Sequence, residues 1–148
     1  MAYKNPALSN KFQVCLAGSL TATTSGRSID TRGAESLCFF YSFGTTTTGT
    51  SGTATIKLQD SADNSTFADI TGATTSALSC DSGGQDAKKV LIRLTSLKGR
   101  ARYIRAVLTE ANTINTAATG PENAGGVLCL GDLAETNPTT VVDTYVAI

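Results

Sequence analysis

The chain has 148 residues, 12 basic and 12 acidic side chains, 24 threonines, and neither histidine nor tryptophan. That length favours a single domain able to bury about 70% of its unfolded surface. Missing histidine removes the commonest general base and metal ligand, and a net charge of zero removes a strong overall pull on nucleic acid or anionic membranes.

Threonine is β-branched and suits a pleated, half-exposed surface, so its excess points to an all-β protein. No apolar run approaches the ~20 residues that span a bilayer. MAYKNPALSNKFQV lacks the apolar centre of a signal peptide, so assembly in a cytoplasm is the expectation. Cys15, Cys38, Cys80 and Cys129 are scattered without a CxxC pair. Buried thiols are expected in preference to disulfides, and their spacing does not suit zinc.

Residues 1–26 read as an N-terminal arm. Within it Phe12, Val14 and Leu16 alternate with Gln13 and Cys15, which fits a short strand or an arm laid on a surface. Ser28 to Arg32 is a second short extended piece. LCFFYSF, Leu37–Phe43, places Leu37, Phe39, Tyr41 and Phe43 on one strand face and Cys38 and Phe40 on the other. Both faces are apolar at its start, so it is expected at the centre of the core, with its aromatics serving packing and not base stacking. Gly44 to Gly52 is a glycine- and threonine-rich connection. It lacks the lysine and following helix of a phosphate-binding loop.

Ala54, Ile56 and Leu58 alternate with Thr53, Thr55, Lys57 and Gln59, the period of a half-buried strand. Asp60 to Ser65 supplies turn chemistry, and its spacing fails the calcium loop. Phe67 and Ile70 are expected to return the chain to the core. Leu78 and Cys80 suit a short strand. Val90, Ile92 and Leu94 read as the next one, with a short helix over residues 88–98 as the alternative. Arg102 to Thr109 turns Ile104, Ala106 and Leu108 inward, with Tyr103, Arg105 and Val107 outward. Ala111 to Gly125 reads as loop, and Gly126 to Asp132 as a buried strand. The tail from 134 to 148 carries the β-prone Val141, Val142, Tyr145 and Val146, expected to add as a strand to a neighbouring subunit.

These segments predict one all-β domain, an antiparallel β-sandwich or jelly-roll-like barrel. Its body is residues 27–133, with extended arms at 1–26 and 134–148. Removing residues 1–16 or 134–148 is expected to leave that body folded.

Seven of the twelve basic residues fall between positions 88 and 105: Lys88, Lys89, Arg93, Lys98, Arg100, Arg102 and Arg105, with no acid among them. They form either a solvated edge or a docking patch for an acidic surface. Phe12, Val14, Val141, Val142 and Tyr145 on the arms are the apolar docking candidates. No catalytic set emerges. Serine and threonine need an activating base; Lys57 or Lys98 lacks a serine in a strained elbow. Asp60, Asp63 and Asp69 as glycosidase carboxylates lack tryptophan platforms. No enzyme, cofactor, metal, membrane or direct nucleic-acid partner is expected.

TATIKLQDSADNSTFADI followed by RYIRAVLT resembles a pattern shared by small β-sandwich virion proteins of tailed bacteriophages. The matching positions are 55–61, 64–70 and 102–108, about a seventh of the chain. The small polar loops and short arm are most similar to capsid decoration, or cement, proteins. The resemblance implies a homotrimer that binds the major capsid protein, bridges capsomers and stabilises the head. Neck, tail or fibre-attachment components share the pattern. A glycan-binding surface module is the third class.

Overall fold

Alternation of apolar and polar residues decides which segments of this chain pair and which face they bury. The computed structural model describes residues 12–16, 23–43, 52–80, 88–111, 123–130 and 144–148, and its regular elements are all strands. In chain order they are β1 (Phe12–Leu16), β2 (Thr24–Ser25), β3 (Ile29–Asp30), β4 (Leu37–Phe43), β5 (Gly52–Ser61), β6 (Ala68–Thr74), β7 (Leu78–Cys80), β8 (Lys89–Leu94), β9 (Tyr103–Ala111), β10 (Asn123–Leu130) and β11 (Thr144–Ala147).

A five-stranded sheet runs β1-β10-β4-β8-β11. A second sheet runs β2-β9-β5-β6, with β3 also on β9 and β7 also on β5. All pairs are antiparallel except β11 with β8. The sheets pack face to face as a sandwich. Leu37, Phe39 and Tyr41 of β4 and Val90, Ile92 and Leu94 of β8 meet Ala54, Ile56 and Leu58 of β5 and Ile104, Ala106 and Leu108 of β9 in one buried cluster. Each large apolar side chain in it contributes about 1.5–3 kcal/mol relative to exposure. The aromatic strand β4 is central, as its two apolar faces predict.

Two open alternatives are decided, for the sandwich and for the strand reading of Val90, Ile92 and Leu94, and two expectations change. The sheets stay open, so the jelly-roll-like barrel is not formed among the described strands. Residues 88–98 are not helical: β8 is a strand paired on both sides, by β4 and β11. The described strands of the two arms, β1 and β11, pair with the sheet of the body. Cys15 and Leu16 are buried, and the Cys15 carbonyl accepts from Arg27 N at 3.0 Å, tying β1 across to the second sheet. At the other end β11 adds to its own chain's sheet instead of a neighbour's. Ile148 N donates to Arg93 O, and Ile148 O accepts from Thr95 N and Oγ1. Val146 and Ile148 pack on the core. Truncating residues 1–16 or 134–148 would remove β1 or β11 from this framework.

The second change concerns Phe67, expected to return to the core with Ile70. Ile70 is buried in the core, and Phe67 lies on the outer face beneath Arg105. The strand β6 also runs on through Thr74, where the composition reads as loop.

Candidate interaction surfaces on the two sheet faces

The segment 53–72 builds a frame and consumes its own polar groups. The Asp63 carboxylate Oδ1 accepts from Ser61 Oγ, Ser65 N and Thr66 N, each at 2.9 Å. These donors, the Thr66 amide foremost, hold its pKa well below the usual carboxylate range. Asn64 adopts φ 61°, a left-handed conformation that asparagine tolerates. Its Oδ1 accepts from Ser28 Oγ, linking the turn to the strap before β3. Asp60 Oδ2 accepts from Ala101 N. Just beyond lies the turn from Leu97 to Arg100, closed by a 3.1 Å bond and by Gly99 at φ 80°.

The three segments that carry the phage-virion resemblance thus become neighbours, β9-β5-β6, in one sheet. On their outer face Arg105, Gln59 and Asp69 share a register row. Lys57 Nζ reaches Asp69 Oδ2 at 2.8 Å, Gln59 Nε2 reaches Asp69 Oδ1 at 2.6 Å, and Arg105 Nε reaches Gln59 Oε1 at 2.9 Å. Lys57 and then Gln59 lower the Asp69 pKa. At one margin Arg102 forks onto Asp30, with Nε at 3.0 Å from Oδ1 and Nη2 at 2.7 Å from Oδ2. That pairing lowers the Asp30 pKa, with help from Arg32 N, and raises that of Arg102.

The outer face of the five-stranded sheet is different. Register aligns Val14, Val127, Phe40, Leu91 and Tyr145 in one row across all five strands. At about 4.8 Å between strands, that row is about 19 Å long. Val14 is 58% exposed and Phe40 39%, the two large apolar side chains most open to solvent among the described residues, while Leu91 is buried and Tyr145 half-buried. By backbone register Phe12, Cys129, Cys38, Arg93 and Ala147 form the neighbouring row. Phe40, which sequence reading assigns to the core, is the principal residue of this surface that the reading misses. Its signal is an apolar residue on the outward period of a strand whose inward period is already filled.

The basic run divides. Lys88 and Lys89 stand at the start of β8, and Arg93 lies on the outward face of that strand. Lys98 and Arg100 are exposed in the connection between sheets. Arg105 lies on the outward face of β9, the opposite side of the sandwich from Arg93, and Arg102, just before β9, pairs with Asp30 at the margin of that sheet. Seven residues close in sequence therefore make no single patch. Val14 and Tyr145 join the apolar row, with Phe12 one row away. Val141 and Val142 lie outside the described residues. Cys15 and Cys38 are buried thiols, and Cys15 Sγ donates to Gly126 O at 3.3 Å. A shallow recess lined by Ala34, Glu35, Thr95, Ser96, Leu97 and Lys98 lies at one end of the sandwich. Among the described residues no three acidic or thiol side chains converge as metal ligands.

No protein-family model matches the chain, and no curated protein matches it. Among solved structures it is similar to a chain of the structure of infectious bursal disease virus, Gx strain, at 15% identity and a TM-score of 0.43. The match covers 82% of this chain and 32% of that one, so this chain spans about a third of the length of the structure it matches.

Proposed function

We propose that this chain is a non-catalytic virion protein that decorates a tailed-phage head, binding the major capsid protein as a homotrimer and bracing the shell where capsomers meet. The observation that carries the adhesive reading is the apolar row over the five-stranded sheet, with Val14 and Phe40 open to solvent. Large apolar side chains left open to solvent on one sheet face suit a protein interface. On the opposite sheet, Asp63, Asp69, Asp30 and Gln59 are each engaged in the fold's own turns and ladders, which leaves that segment as frame. The resemblance of positions 55–61, 64–70 and 102–108 to virion β-sandwich proteins supplies the location. A brace of this kind gains strength from many modest contacts repeated by symmetry.

Binding to undecorated heads of the encoding phage tests it. Val14→Asp with Phe40→Asp alters two outward side chains and should leave the far-ultraviolet circular dichroism unchanged while shell occupancy drops. Equal occupancy by the folded double variant would remove this face from the interface.

A further inference from the structure

The outer face of β9, β5 and β6 holds one guanidinium rigidly and leaves its end open. Arg105 lies over Phe67, with Cζ 3.9 Å from the ring centroid, and its Nε is tied to Gln59. Gln59 is itself fixed through Asp69 to Lys57. Among the described residues no carboxylate pairs with Arg105, and nothing accepts from its two terminal nitrogens. The other cations of this face are spent, Arg102 on Asp30 and Lys57 on Asp69.

We infer that Arg105, oriented by Gln59 and Phe67, is a binding site for a carboxylate of a protein partner. With Nε occupied, the fork formed by Nη1 and Nη2 offers two parallel N–H donors, the geometry that takes a carboxylate at both oxygens. The ring beneath keeps water from one side of the cation, and arginine is among the residue types enriched at interface hot spots. Nucleic acid is the poorer fit. Its affinity sums over several phosphates, each neutralised by a cation, and here one cation is open. The site rests on reading the chain as an adhesive module and names the chemistry of one contact. Its test uses the isolated protein, so its failure leaves shell binding by the opposite face unaffected.

The test is a titration of the ¹⁵N-labelled full chain, followed at the Arg105 Nε–H and Phe67 ring resonances, at constant ionic strength. The probes are acetyl-Gly-Asp-Gly-amide, its Asn counterpart, inorganic phosphate and decathymidylate. The Asp peptide should move both resonances saturably, and the Asn peptide should not. In Arg105→Lys the Phe67 ring resonances should no longer respond, with the backbone spectrum otherwise retained, and in Phe67→Leu the Arg105 Nε–H response should weaken. A missing or non-saturable shift with the Asp peptide, or an equal response to the Asn peptide, overturns the assignment. Tighter binding of phosphate or decathymidylate, lost in Arg105→Lys, overturns it in favour of a phosphate site.

Discussion

Gly126 sits in β10 opposite Tyr41, where the core leaves no room for a methyl group. A Cβ there would lie 2.8 Å from Phe39 Cε2, Phe39 Cζ and Tyr41 Cδ2. Ordinary contact begins near 3.4 Å, so the two rings must retreat by 3.4 − 2.8, about 0.6 Å, in a close-packed interior. Both rings are fully buried and stacked on each other with centroids 6.3 Å apart. Overpacking of this kind costs about 1–3 kcal/mol. Replacing glycine by alanine also stiffens the unfolded chain, which returns about 0.4–1 kcal/mol. Gly126→Ala is therefore expected to destabilise by roughly 0.5–2 kcal/mol. With an unfolding entropy of about 2.1 cal/mol/K per residue, a chain of 148 residues changes by about 0.3 kcal/mol per kelvin, so Tm should fall by about 2–6 °C. Thermal and urea melts measure this, with an unchanged m-value confirming that the same transition is compared. In the Gly126→Ala background, Phe39→Leu should cost less than it does alone, because it vacates the contested space. An unchanged or raised Tm for Gly126→Ala would refute the close approach of the rings.

Acid should weaken the fold in a defined direction. Asp30, Asp63 and Asp69 are all held below their ordinary pKa by donors in the folded chain. A depressed carboxyl adds stability above its unfolded pKa of about 4 and loses it as pH falls towards the folded value. Urea midpoints should be flat from about pH 8 to 5 and decline below about pH 4, and Asp63→Asn should make that decline shallower; a midpoint that rises on acidification would contradict the assigned pairings. Deleting residues 144–148 should lower Tm and promote aggregation, since it strips Ile148 from the core and bares the edge of β8. Melting identical to the full chain would show that β11 is dispensable.

Much of this architecture is visible in the period of two along single strands. It assigns Leu37–Phe43 and the inward sets Ala54, Ile56, Leu58 and Ile104, Ala106, Leu108 because one face of each strand is wholly apolar. It does not say which edge a strand will join. Tyr145 and Val146 mark a strand, yet their partners at Leu91 and Ile92 lie more than fifty residues back, and the same alternation would serve an edge on another subunit. The Phe67 error has a different origin. Hydrophobicity assigned the ring to the core, whereas it lies on the outer face beneath Arg105. The basic run misleads because adjacency along the chain says nothing about the crossing between sheets at residues 95–102, which sends Arg93 and Arg105 to opposite faces. Gln59 and Phe67 become recognisable as partners of Arg105 only once β9, β5 and β6 are placed side by side.

Under the proposed function this chain acts by repeated adhesion to a shell. Electron cryo-microscopy of virions carrying a labelled copy tests it most directly. Label density recurring at symmetry-related positions over the head is the predicted result. A single axial feature at the neck or tail, or particles without label, would contradict it.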